Sequence, residues 1–237
     1  RNYFVDCLNG EYSRDIEPVK GLYNDNYYYQ MVSNIRQYKG TRPVPSAIGQ
    51  KTIDINGCPC QWEDVGPDYL DYKGDTVKRD AVSYVGEFHY TNDTGRNDFV
   101  KMKVSSDEEF LYFYAECAND ITKPESTNWM NLFINSDCKY DNGWYGYNYI
   151  INRYQNGNVA SIERFADGTW ATEKVGDAEF SVNGKIMQIK ASKSLLNIKD
   201  EFHFKWADNS VNDGNIMEFI DKGDVAPNDR FNYIYKK

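Results

Sequence analysis

The sequence predicts an all-β fold, an antiparallel β-sandwich of the jelly-roll or immunoglobulin-like kind, preceded by an N-terminal extension that holds one α-helix. Three observations predict it. From Lys51 onward, short stretches of alternating apolar and polar residues are separated by clusters of Gly, Asn and Asp. Ring-bearing residues that favour strands are plentiful, with 20 Tyr and 12 Phe. A single segment repeats its apolar residues at helical spacing. The 237 residues suit one large domain, or one domain with a short appendage, and not two full domains.

The extension spans residues 1–46. Asp25-Asn26 offers a cap, and Tyr28, Met31, Val32 and Ile35 recur at i, i+3, i+4 and i+7, which predicts a helix ending near Gly40. Thr41-Arg42-Pro43-Val44-Pro45-Ser46 reads as an extended linker, because each proline drives the residue before it out of helical space. The boundary falls there, and residues 47–237 form the sandwich. Strands are predicted over 98–104, 109–117, 129–135, 146–153, 159–165, 169–175, 185–191, 202–206 and 230–235. Asn183-Gly184 is a hairpin turn that makes its flanking strands partners, and a short helix is predicted over 193–198.

Composition excludes several classes. A formal net charge of -9 leaves no cationic footprint for nucleic acid or anionic lipid. No apolar run reaches the roughly 18 to 20 residues of a membrane span, and Arg1-Asn2-Tyr3-Phe4 lacks the apolar core of an export signal, so any such signal is expected upstream. Cys7, Cys58, Cys60, Cys117 and Cys138 are an odd count without a framework. Cys58-Pro59-Cys60 reads as too tight for an easy bridge, and free thiols are expected. His89 and His203 do not complete a zinc set. Neither a Gly-x-Ser-x-Gly elbow, nor a phosphate-binding loop, nor a dinucleotide fingerprint occurs, and no pair of acids is singled out, so the chain reads as non-catalytic.

Alternation sorts the rings by face. In Phe202-His203-Phe204-Lys205-Trp206 the aromatics share the core face, leaving His203 and Lys205 to solvent. Met130, Leu132 and Ile134 form an inner stripe, which sends Trp129, Asn131, Phe133 and Asn135 outward. An indole beside amides suits a sugar, whose C–H face stacks on the ring while its hydroxyls meet the amides. The alternative is that a loop or the N-terminal helix covers this face. Trp144, Tyr145 and Tyr147 stand in a glycine-rich turn, before a strand whose polar residues are Asn148, Asn152 and Arg153. Trp170 emerges from another turn, and two such rings could hold a pyranose. Asp137, Asp141 and Asn142 could ligate a structural calcium, although Asp-rich turns are usually only turns and the spacing is not that of an EF-hand. The segment 68–98 could lie over the site, offering Tyr69, Tyr72, Tyr84 and Tyr90, or be structural, with Arg96 and Asp98 pairing in a turn.

Ile53-Asp54-Ile55-Asn56-Gly57 followed by Trp62-Glu63-Asp64-Val65, the run His89 to Asp98, Trp129 to Asn135, Gly143-Trp144-Tyr145-Gly146-Tyr147, Phe204 to Asn209 and the tail from Gly223 to Tyr233 together resemble a carbohydrate-binding module of family 9. The resemblance spans roughly Lys51 to Tyr235. It implies a β-sandwich in an extracellular or cell-surface bacterial protein, a glycan held between aromatic side chains, and frequently a bound calcium. Trp129, Trp144 and Trp170 are the matching candidates for the rings. The segment 1–46 looks like the extension that joins such a module to an upstream domain.

The expected function is therefore binding of plant cell-wall polysaccharide (β-glucan, xyloglucan or xylan) by a monomeric module covalently linked to catalytic or dockerin-type modules. Flat rings match the flat faces of β-1,4-linked sugars. The expected site is Trp129, Trp144, Tyr147, Trp170, Asn152, Arg153 and Tyr90. A spacer supporting a neighbouring glycoside hydrolase, or a glycosidase in its own right, are the other readings.

Overall fold

The computed structural model describes residues 26–82 and 89–237; of residues 26–29, 81, 82 and 90 it describes the backbone and not the side chain. The predicted helix is α1 (Asn26–Lys39), with Arg36 and Lys39 in its last turn, where the helix dipole favours cations. It stops at Gly40, whose φ of 75° continues no helix and whose N–H donates to Arg36 O at 2.8 Å. Residues 33–46 are exposed. At Ala47 the N–H donates to Lys236 O at 2.7 Å, and the chain joins the sheet.

The strands are β1 (Tyr69–Leu70), β2 (Arg79–Val82), β3 (His89–Asn92), β4 (Phe99–Ser106), β5 (Phe110–Cys117), β6 (Asn131–Asn135), β7 (Tyr149–Asn156), β8 (Val159–Phe165), β9 (Thr172–Asn183), β10 (Ile186–Ser192), β11 (Glu201–Asp208), β12 (Asp224–Ala226) and β13 (Tyr233–Lys236). Every pairing among them is antiparallel, and the fold is all-β as the alternation predicts. One large sheet runs β1-β4-β5-β10-β9-β8-β7-β6-β11, while β2 and β3 form a separate hairpin. The far edge of β11 is shared: β13 pairs with residues 201–204 and β12 with residues 206–208.

The sheet curls until its ends meet. Tyr69 Oη donates to Ile234 O at 3.0 Å, Tyr233 Oη to Leu70 O at 2.8 Å, and the Phe99 N–H to Asp224 Oδ2 at 2.6 Å. This seam between the β1–β4 edge and the β12–β13 edge leaves few unpaired edge groups.

All nine predicted strands are present, β8 with the predicted ends and the others with one or both ends shifted, and the strands beside the Asn183-Gly184 turn do pair, Asn183 opposite Ile186. The segment 193–198 is a run of turns and not a helix. The unforeseen strands β1, β2, β3 and β12 have two to four residues each, too few to show a period.

The main core lies inside the curl, with Phe99, Phe113, Ile151, Ile162, Ile189, Phe204 and Trp206 all essentially without exposure. Trp206 is core, as alternation predicts. His203 and Lys205, expected in solvent, are buried on the opposite face. Tyr140 Oη meets His203 Nδ1 at 2.8 Å, and Lys205 Nζ lies 5.2 Å from the Phe219 ring centroid and donates to Pro227 O. Strand β11 is thus covered on both faces, a feature that a period of two does not reveal.

A second cluster makes that cover: Phe133, Trp144, Tyr147, Ile150, Phe165, Ala207, Val211, Ile216, Phe219 and Val225, under loops that include α2 (Glu218–Asp221). A third seats Ile53, Ile55, Trp62 and Val65 on Tyr112 and Tyr114.

Two further expectations are corrected. Cys58 and Cys60 are joined by a disulfide, because extended Cys58 followed by a 3-10 turn from Pro59 brings their Cα atoms to 5.2 Å. Cys117 and Cys138 are free thiols, as expected, and Cys7 lies outside the described residues. Arg96 pairs with Asp208, Nη2 to Oδ1 at 2.7 Å and Nε to Oδ2 at 2.9 Å, and not with Asp98, which accepts from the Gly74 N–H.

Candidate functional site

The aromatic residues expected at the surface are mostly enclosed. Trp129 is 1% exposed, donates its Nε1–H to Thr122 O at 2.9 Å and meets Phe180 edge-on. Met130 has φ 45°, an irregularity at which the strict alternation of the strand fails, so Trp129 and Met130 both enter the main core. Trp144 is 2% exposed and packs against Phe133, Phe165, Phe219 and, at 4.6 Å between centroids, Trp170. Tyr147 is equally enclosed and donates to Asn232 Oδ1 at 2.6 Å.

The glycines beside Trp144, expected to leave it open, instead let the chain fold back over it. Gly143 has φ 53°, and a Cβ there would stand 2.1 Å from Tyr147 O. Rings so covered cannot stack on a sugar, and the loop-covered alternative for this face is the one realised. Tyr90 lies on β3, opposite Ala81, and its side chain is outside the described residues, as is Tyr84.

Asn152, fully buried, has φ 73° and donates through Nδ2 to Trp129 O and Met130 O, both at 3.0 Å. Its backbone marks a bulge: pairing of β7 with β8 breaks between Ile151 and Gln155, and that of β8 with β9 between Ile162 and Glu163. Bulges bend strands and redirect side chains. Here they bring Arg153 to Trp170, with the guanidinium carbon 4.8 Å from the ring centroid, while Arg153 Nη1 donates to Thr172 Oγ1 at 3.1 Å. Two expected site residues, Arg153 and Trp170, thus come together, half-buried, beside an open cleft whose lining includes Thr172.

That cleft has a volume of about 530 Å³ and opens on the outer face of β7, β8 and β9. Its lining offers amides (Gln155, Asn156), hydroxyls (Ser161, Thr172), charges (Glu163, Lys174, Asp177) and an apolar edge of Tyr154 and Val159. Tyr154 is 57% exposed. Glu163 forms the floor, 4% exposed, accepting from Ser161 Oγ at 2.7 Å and Thr172 Oγ1 at 2.6 Å, with Arg153 Nη1 at 3.6 Å. A buried carboxylate held by two hydroxyls and a guanidinium is fixed in place before any ligand arrives. Thr172 also lines a second depression of about 480 Å³ with Arg164, Asp167 and Glu173. The signal for this face in the sequence is Asn152-Arg153-Tyr154-Gln155-Asn156, five polar or ring residues that break the alternation begun at Tyr149.

Of the three residues expected to hold a metal, Asp137 and Asn142 spend their polar atoms within the loop and Asp141 is exposed. Asn142 Nδ2 donates to Asp137 Oδ2 at 2.6 Å, Asp137 Oδ1 accepts from the Lys139 N–H, and Asn142 Oδ1 accepts from Asn148. Among the described residues, ligand atoms converge within 4.8 Å in two other places: Cys138, Glu201 and His203, and Asp71, Asp75 and Asp224. In the first, burial holds the His203 imidazole below its usual pKa and the Cys138 thiol above it. In the second, burial and then the neighbouring carboxylates raise all three acids, Asp71 to about 7. Lys205 is close by, pulled down to about 7 by burial against the attraction of Asp229, Asp71 and Asp224.

No protein-family model, curated protein or solved structure matches the chain.

Proposed function

We propose that the chain is a non-catalytic glycan-binding β-sandwich whose ligand lies in the cleft on β7, β8 and β9. The carrying observation is the chemistry of that open face: amide, hydroxyl, carboxylate and ammonium groups beside one open phenol ring. A pyranose presents hydroxyls that both donate and accept, and a C–H face that lies on a ring. Arg153 and Glu163 are locked by their own partners, so little ordering cost falls on binding. The preferred ligand is a β-linked plant cell-wall polysaccharide (β-glucan, xyloglucan or xylan), and the module acts by holding linked catalytic or dockerin-type modules at high effective concentration near it. One ring and a handful of hydrogen bonds imply micromolar to millimolar affinity. The Cys58–Cys60 disulfide fits an exported protein, and among the described residues no helix is long and apolar enough to cross a membrane.

The test is affinity electrophoresis against a polysaccharide panel. Retardation by at least one glycan that is lost in Tyr154→Ala supports the reading; free migration on every glycan refutes it.

A second reading, a spacer supporting a neighbouring glycoside hydrolase domain, is favoured by the burial of Trp129 and Trp144, which removes the ring platform a sugar-binding surface most often uses. Thermal stabilisation of a covalently linked hydrolase by this chain, without retardation on any glycan, would establish it.

A further inference from the structure

Strand β11 and the loop after β6 bring a thiol, a carboxylate and an imidazole to one point. Glu201 and His203 are two residues apart on β11 and share a face of it, while Cys138 stands in the loop between β6 and β7. One donor atom from each lies within 4.8 Å of the other two. Tyr140 Oη meets His203 Nδ1 at 2.8 Å, which leaves Nε2 for a ligand; an outer hydrogen bond of this kind is what orients a metal-binding imidazole. Glu201 Oε2 has Lys236 Nζ at 3.9 Å, too far for a hydrogen bond, and both side chains reach solvent, so the pair is weak. Cys138 is a free thiol.

A fourth residue points independently to a ligand. Asn135 stands opposite His203 in the β6–β11 register, so the two side chains share a face, with Cβ atoms about 4.5–5.5 Å apart. It is fully buried, and its Nδ2 donates at 2.6 Å to the O of Lys139, the residue after Cys138, which fixes the other end of the amide as the acceptor. That acceptor, Oδ1, takes no hydrogen bond from any described residue. A buried carbonyl oxygen left so is costly unless something outside the chain meets it. We propose that Cys138, Glu201 and His203 bind one zinc ion, which fastens the loop after β6 to β11. Calcium and magnesium take oxygen donors, whereas zinc accepts thiolate, imidazole and carboxylate in one tetrahedral set. Three protein ligands leave the fourth position to water, as in zinc sites that stay open, and Asn135 Oδ1 is the idle acceptor on that face. On binding, the Cys138 thiol gives its proton to solvent and ligates as thiolate. The fastened loop carries Trp144 and Tyr147, which cover Phe133. The inference stands independently of the glycan reading.

The experiment uses the whole chain, freed of metal with EDTA, dialysed, and titrated with ZnCl2 by calorimetry and thermal melting. One zinc is expected to bind, and at 100 times its Kd the folded-to-unfolded ratio rises about 100-fold. CoCl2 is expected to give the thiolate-to-cobalt absorption of a tetrahedral site, bleached by zinc. Cys138→Ser is expected to lose both responses, while Cys7→Ser and His89→Gln keep them. Where Cys138→Ser does not fold, Glu201→Gln replaces it, with zinc affinity expected to fall at least tenfold. A chain indifferent to zinc and cobalt, responses kept in Cys138→Ser or lost in Cys7→Ser or His89→Gln, or a melting temperature raised as much by calcium as by zinc, overturns the proposal.

Discussion

Replacing Trp144 by Ala separates a packed indole from a binding platform. The ring is 2% exposed, within 6 Å of the Phe133, Tyr147, Phe165, Trp170 and Phe219 rings, and its Nε1–H donates to Gly214 O at 3.3 Å. Burial of roughly 200 Å² at about 25 cal/mol per Å² is worth about 5 kcal/mol. The loops over the ring can settle partly into the space, which brings the expected cost to about 4 kcal/mol, inside the range for large aromatic truncations. For a chain of this length that lowers the Tm by roughly 10 °C. Urea unfolding followed by near-ultraviolet circular dichroism measures it. A loss under about 1 kcal/mol would mean that the indole is not enclosed, and the argument that empties this loop of a binding role would fail.

Asn152→Ala removes both donors to Trp129 O and Met130 O and puts a Cβ residue without local hydrogen bonds at φ 73°; a loss of about 2–4 kcal/mol is expected in the same assay, with little recovery in Asn152→Asp, which cannot donate. Glu116 supplies a pH dependence. Burial alone would raise its pKa, but Lys185 at 2.7 Å, Lys101 at 3.0 Å and Tyr114 outweigh it and hold the carboxyl at about 2. A depressed folded pKa stabilises above the unfolded value and is lost as pH falls, so stability should drop between about pH 4.5 and 2 by about 1 kcal/mol after solvent screening, and Glu116→Gln should flatten that part of the curve. The Cys58–Cys60 disulfide closes so small a loop that its reduction should cost no more than about 1–2 kcal/mol, read as a small shift of Tm in dithiothreitol.

The strands were legible because a half-buried strand writes its face into alternate residues, and Phe204, Trp206, Leu132 and Ile134 obey that rule. The helix was legible from Met31, Val32 and Ile35 at helical spacing. What alternation does not encode is a second layer on the outer face. Phe133, Lys205 and His203 alternate as outward residues should, yet loops from 136–148 and 209–223 lie over them, and the sequence distance between cover and covered residue leaves no local trace. The same cover removed Trp144 and Tyr147 from the site. Arg153 and Trp170 were placed in the site from the sequence, and the structure sets them side by side because a bulge at Asn152 turns Arg153 toward Trp170. Beyond the broken alternation from Asn152 to Asn156, nothing near Glu163 and Thr172 announces a cleft, because its walls come from three strands and its curvature from two bulges. The seam acids escaped notice for a similar reason: Asp71 and Asp224 are 153 residues apart and meet only when the sheet curls shut.

The central claim, that the outer face of β7, β8 and β9 carries the ligand, is tested most directly by mapping amide shifts in nuclear magnetic resonance spectra while titrating soluble oligosaccharides of the same cell-wall glycans. Perturbed amides are expected to cluster at Arg153 to Ser161 and Thr172 to Asp177. Perturbation centred on Asp137 to Tyr147 instead, or none with any oligosaccharide of the panel, would contradict it.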